Sequence, residues 1–177
     1  TSCLTTSQAR GMGEGWSDWL GSVFTATATD TRAISRPVGT YVLGQDPVTG
    51  AGIRPATYNP DMAVNSLTYG SLNGGGLSIP HGYGTVWCTI LWDIYWDLVD
   101  AHGYDADIYS GTGGNNLALQ LVIDGMKLQP CNPSFVDARD AIIAADQALN
   151  GGSNYTLLWT AFARRGLGFG AQDDNGG

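Results

Sequence analysis

The run from His81 to Ala101, HGYGTVWCTILWDIYWDLVDA, constrains the fold more than any other part of the chain. Val86, Trp87, Ile90, Leu91, Ile94, Tyr95, Leu98 and Val99 recur at the 3.6-residue period. They form a paired apolar stripe, wide enough for a helix at the centre of a core. Gly103 is its natural stop. Four further helices are expected around it. Met12, Trp16, Trp19, Leu20 and Val23 make one stripe over residues 10–25, and Leu117, Leu121 and Val122 face inward from a helix over 115–128. Asn132 as N-cap and Pro133 at the first helical position open a helix over 132–149, with Phe135, Ile142, Ile143 and Leu149 inward. A last helix covers 155–165 and stops at Gly166. The expected class is mainly α.

Residues 26–80 break this pattern. They are rich in proline and glycine and show no sustained period, which predicts one long ordered loop, with a short extended piece at Gly39–Leu43 and a turn from Asp46-Pro47 to Gly50. A run of this length without regular structure is uncommon inside a domain and often functional. The tail GAQDDNGG is polar, and a frayed end is expected there.

A chain of 177 residues reads as one domain, 1–177, long enough to bury a core. Its 43% apolar content, six Trp and eight Tyr exclude a disordered chain. Net charge is −8 and no basic cluster exceeds Arg164-Arg165, which argues against nucleic acid or an anionic membrane as partner. No segment reaches the roughly 18 apolar residues that a membrane span needs. The chain begins at Thr1 without an initiator Met, so it is expected to be a processed or excised piece of something longer. Of three cysteines, Cys88 falls in the apolar helix and reads as a buried free thiol. Cys3 and Cys131 lie in polar sequence and either pair, in an extracellular setting, or stay free. Asn154-Tyr155-Thr156 fits the N-glycosylation pattern, which also arises by chance.

The chemistry-bearing stretch is RGMGEGWSDWLG, residues 10–21. Glu14 and Asp18 lie four apart and therefore on one helix face. Two carboxylates among tryptophans repel and lose solvation unless a cation or donor stands opposite. A metal held by one carboxylate, with the second fixing a ligand imidazole, satisfies both. Solvation of both acids at the wet edge of the helix, near its N-terminus, accounts for the same spacing. His81 by itself reads as a residue at a helix start, and His102 as a structural cation at a helix C-terminus.

The segment GMGEGWSDW resembles the third-ligand helix of the fungalysin family of secreted zinc metallopeptidases, which are thermolysin-like. The resemblance continues in order through GIRPATYNPDMAVNSLTYG, PHGYGTVWCTILWDIYWDLVDAHGYD, LALQLVIDGMKLQPCNPSFVDARDAIIAAD and LLWTAFARRGLG, covering nearly the whole chain. It implies a mainly α, helical C-terminal subdomain of a thermolysin-like metallopeptidase. Glu14 then matches the carboxylate that is the third zinc ligand, and Asp18 the acid that orients a ligand histidine. His81 matches the histidine that donates to the developing oxyanion, a contact worth about 3 kcal/mol. Tyr69 is a candidate second oxyanion donor and Arg54 a candidate structural or substrate contact, both lining a cleft walled by the long loop.

One departure is large. The chain has only His81 and His102 and no H-E-x-x-H, so the ligand histidines and the general-base glutamate of the family lie outside it. A smaller one is Thr85, four beyond His81, where the family often places an acid. Two functions follow. One is the C-terminal half of a secreted zinc metalloendopeptidase, acting on protein or peptide substrates, with zinc shared with histidines supplied by a missing N-terminal half. The other is a processed, non-catalytic module that self-associates or binds a protein partner through an apolar surface around Trp16, Trp19 and the core helix.

Overall fold

The computed structural model describes residues 2–173. Five helices carry the fold: α1 (Ser7–Phe24), α2 (His81–His102), α3 (Gly114–Leu128), α4 (Phe135–Asn150) and α5 (Tyr155–Arg164). The described residues contain no β-strand, only an isolated antiparallel bridge between Arg36 and Tyr58. The mainly α class expected of such a subdomain is therefore what the chain adopts.

The central position of α2 follows from its sequence. Trp87, Ile90, Leu91, Trp92, Ile94, Tyr95 and Leu98 are all fully buried, so side chains from neighbouring elements cover several of its faces. Helix α1 lies against its first half. The Trp16 ring meets Trp87 edge-on at 6.1 Å, and the Trp19 indole N–H donates to Leu91 O at 3.1 Å. Glycines set how close the two helices come. A Cβ on Gly15 would stand 2.6 Å from Gly84 O, and one on Gly84 would stand 2.7 Å from Glu14 Cβ. Only hydrogen fits at this crossing, and the crossing brings Glu14 beside the start of α2.

Helices α3 and α4 pack on one another at Gly125, whose Cα hydrogens face Ile142, and α3 starts against the backbone of Leu98 at Gly114. The start of α4 differs from the expectation of an Asn132 cap with Pro133 at the first position. Ser134 is the N-cap and forms a reciprocal box with Asp137, each side chain accepting from the other residue's backbone N–H. Asn132 is engaged elsewhere, its Oδ1 accepting from the Thr5 backbone N–H at 2.6 Å. Two hydrogen bonds inside the box outweigh the single one that an Asn132 cap would supply. Leu149, expected inward, is exposed, because the buried face of α4 runs through Phe135, Ala138, Ile142 and Ala145 and ends before the last turn.

Cys3 and Cys131 form a disulfide that ties the N-terminal segment to the approach to α4, and Cys88 is a buried free thiol. Trp16 and Trp19 are buried inside the chain's own core, so these two rings contribute no exposed apolar surface. The glycosylation pattern is also closed. Asn154 is buried, donates to Asp146 Oδ1 at 2.8 Å and shares a 2.7 Å hydrogen bond with His102 Nε2.

The long loop is ordered by polar fasteners, not by strands. The expected extended piece at Gly39–Leu43 is instead a 3-10 turn over Tyr41–Leu43, while the turn at Asp46 forms as expected, its Oδ1 accepting from the Val48 and Thr49 backbone N–H groups. A second 3-10 segment spans Tyr69–Gly74. Arg165, fully buried just beyond α5, binds both oxygens of the fully buried Asp93 at 2.9 and 3.0 Å. The same guanidinium donates to the carbonyls of Asn59, Pro60, Asn65 and Leu67. Asn65 adds a 3.0 Å bond to Thr89 of α2. Loop residues 59–67 are thereby fixed to the core helix.

Candidate active site

Glu14 and Asp18 project from one face of α1 toward the start of α2, as their spacing requires. Their environments differ. The Asp18 side chain is only 7% exposed, Glu14 is 36% exposed, and His81, the first residue of α2, is 58% exposed. Asp18 is sunk into the fold and Glu14 stands at its edge.

The cation demanded by two neighbouring acids is Arg54, delivered by the long loop. Its Nε donates to Asp18 Oδ2 at 2.7 Å and its Nη2 to Asp18 Oδ1 at 2.8 Å, a two-pronged pairing. Nη2 also reaches Glu14 Oε2 at 3.3 Å. The Asp18 bonds, and then the nearby negative charge, hold the guanidinium pKa above its ordinary value against desolvation. Sequence spacing offered solvation or a metal-linked role for the acids; an arginine 36 residues further on was not legible in it.

Tyr58 completes the cradle. Its hydroxyl donates to Asp18 Oδ2 at 2.5 Å, and its ring is fully buried. The Cys88 thiol of α2 is also fully buried. Burial pushes the Tyr58 phenol and the Cys88 thiol well above their ordinary pKa values, so both remain neutral donors at physiological pH. Nothing in the sequence distinguished Tyr58 from the other seven tyrosines.

His81 Nε2 stands 3.6 Å from Glu14 Oε2. The structure thus gathers Glu14, Asp18, Arg54 and His81, four of the residues singled out by sequence, into one cluster. Arg54 reaches it through the acids, with only 9% of its side chain exposed. The Tyr69 hydroxyl donates to Gln172 O at 3.1 Å and its ring lies 5.7 Å from Phe135. Thr85 carries no charge into the site; its hydroxyl donates back to His81 O at 3.0 Å.

The fungalysin metallopeptidase family model matches residues 1–171. The chain belongs to that family. Among similar proteins, the extracellular metalloproteinase MEP of Pyricularia oryzae is 47% identical, the alignment covering 96% of this chain and 27% of that protein. The MEP of Fusarium vanettenii is 46% identical with the same coverage. Extracellular metalloproteinase 2 of Trichophyton tonsurans is 44% identical over 95% of this chain and 27% of its own length. The chain therefore spans about a quarter of each of these relatives.

Fungalysin membership implies zinc. Among the described residues no group of three or more His, Cys, Asp or Glu side chains is placed to hold a metal. A catalytic zinc takes three protein ligands and an open position. Glu14 fits one of the three: its carboxylate is partly exposed and its Oε2 is the atom that both Arg54 and His81 approach. Asp18 fits a supporting role. Three donors leave one of the roughly four acceptor positions of its carboxylate open, on Oδ1, for a ligand's N–H. The residues present fit one corner of a zinc site.

Proposed function

We propose that this chain is the C-terminal part of the catalytic domain of a secreted zinc metalloendopeptidase that hydrolyses protein or peptide substrates. The observation that carries the reading is the Glu14 carboxylate, held at the α1–α2 crossing with the His81 imidazole 3.6 Å away and Asp18 locked one turn below. The other zinc ligands and the general base come from a segment carrying H-E-x-x-H. When bound there, zinc would supply polarisation of a scissile carbonyl and activation of a water.

The residues of this chain divide the remaining work. Glu14 supplies a zinc-binding oxygen. His81, at the exposed start of α2, directs a ring N–H toward the carbonyl oxygen on which negative charge develops. Asp18 accepts the N–H of a ligand imidazole and fixes its tautomer and orientation. Arg54 neutralises the two acids and holds Asp18 in place, and its Nη2 reaches the edge where a substrate carbonyl would pass. Tyr69 is the weaker candidate for a second donor. Extracellular action is proposed from the relatives' names and from the disulfide, which persists in an oxidising compartment. No helix among the described residues is long and apolar enough to cross a membrane.

The test is metal content beside steady-state kinetics in the complete catalytic domain. Glu14→Ala loses zinc, because two ligands do not hold it tightly. His81→Ala keeps zinc and loses about 10²–10³-fold in kcat with KM little changed. The 177-residue chain alone has no peptidase activity. Loss of zinc from His81→Ala as complete as from Glu14→Ala would make His81 a ligand and overturn the assignment.

A further inference from the structure

We infer that Tyr58 is a positioning residue, which fixes the Asp18 carboxylate so that its one open acceptor, on Oδ1, meets the N–H of a zinc-ligand imidazole. The inference rests on the reading of the site as part of a zinc centre. Its physical basis is the way the two partners of Asp18 are themselves held. Arg54 binds both carboxylate oxygens, but its side chain is long and it is shared with Glu14 at 3.3 Å. On its own it leaves the carboxylate free to follow the guanidinium whenever Glu14 draws it outward.

Tyr58 has no such freedom. Its backbone is clamped on both sides of the bridge to Arg36, with Tyr58 N to Arg36 O and Arg36 N to Tyr58 O both at 2.9 Å. Its ring is fully buried. The phenol has a single proton, and it is directed to Asp18 Oδ2. Oδ2 therefore accepts from both Tyr58 and Arg54, whereas Oδ1 accepts from Arg54 alone. With the Asp18 side chain 7% exposed and three donors in place, a ligand N–H can add to the carboxylate only at the acceptor left open. The fixed phenol decides which oxygen that is.

The experiment compares Tyr58→Phe, Asp18→Asn and the double variant in the complete catalytic domain, reading zinc affinity by competition with a chromophoric chelator and Tm of the metal-free protein. Asp18→Asn weakens zinc about 10–100-fold, and Tyr58→Phe, acting one step further out, about 3–10-fold. If Tyr58 acts through Asp18, the effects do not add, and the double variant binds zinc no more than about twofold more weakly than Asp18→Asn alone. A purely structural tyrosine would lower Tm and leave the affinity of the folded protein unchanged. Parental affinity in Tyr58→Phe, additive effects in the double variant, or failure of Tyr58→Phe to fold despite its retained ring would each overturn the inference. Glu14→Ala is measured alongside. If it retains zinc, the zinc-site reading itself fails; if it loses zinc while Tyr58→Phe binds normally, only the role of Tyr58 falls.

Discussion

Two buried aspartate–arginine pairs hold the long loop, and they are finished in different ways. Asp93 and Arg165 are both inaccessible to solvent, and the guanidinium spends its donors on the carboxylate and on four loop carbonyls. The guanidinium has nothing left for another partner, although Asp93, which also accepts from Arg164 at 3.3 Å, keeps the same open Oδ1 position as Asp18. Asp18 and Arg54 have nearly the same pairing geometry, yet Arg54 Nη1 donates to no group among the described residues and Nη2 continues to a partly exposed Glu14. A saturated ion pair fastens the chain, whereas an unsaturated one at an edge can serve a ligand. The same residue types fasten the loop 70-odd residues apart in sequence and stand in the proposed site 36 apart, and the difference lies in what the guanidinium leaves unpaired.

The comparison breaks most visibly if one partner of the saturated pair is removed. Asp93→Asn leaves the Arg165 charge buried without its counter-ion, and urea denaturation should show a loss of about 3–5 kcal/mol. A loss under 1 kcal/mol would mean that the loop carbonyls alone suffice for Arg165. Next in size is Gly84→Ala, which leaves both pairs intact but places a methyl 2.7 Å from Glu14 Cβ. The helices must separate, at a cost of about 1–3 kcal/mol. Zinc binding should weaken with it, since Glu14 rides on the displaced helix; a Gly125→Ala control, at the α3–α4 contact with Ile142, should cost stability without touching zinc.

The smallest effect belongs to a carboxylate with neither burial nor an arginine. Exposed Asp107 accepts from the Ser110 hydroxyl and from the backbone N–H groups of Ser110 and Tyr109, and these bonds hold its pKa below the usual carboxylate value. A depressed native pKa contributes stability above the unfolded-state value, lost as pH falls through the native one. Asp107→Ala should therefore lower Tm slightly at pH 6, and the difference from the parent should vanish in acid below the lowered value. A difference that persists there would assign the effect to loop geometry instead.

The parts of the molecule legible in sequence are those with a local period. Helix α2 and its stop at Gly103 follow from apolar residues three and four apart, and the shared face of Glu14 and Asp18 follows from their spacing. The motif order adds His81 and the family. What escaped is long-range. Arg54, Tyr58 and Arg165 take their meaning from partners 36, 40 and 72 residues away, and no window of helical periodicity contains those pairings. Local competition also misled at α4, where Asn132-Pro133 suggests a start and the Ser134–Asp137 box two residues later provides it. The burial of Trp16 and Trp19 escaped for a third reason: tryptophans on a stripe do not say whether the covering partner lies inside the chain, and here it is α2.

The central claim is that the unsaturated pair serves a metal-linked site and the saturated pair does not. It is tested most directly by zinc affinity of Asp18→Asn and Asp93→Asn in the complete catalytic domain, both measured at a temperature where the variants are folded. The account predicts that Asp18→Asn binds zinc about 10–100-fold more weakly and that Asp93→Asn, although much less stable, binds it as the parent does. Equal weakening in the two variants, or parental affinity in Asp18→Asn, would contradict it.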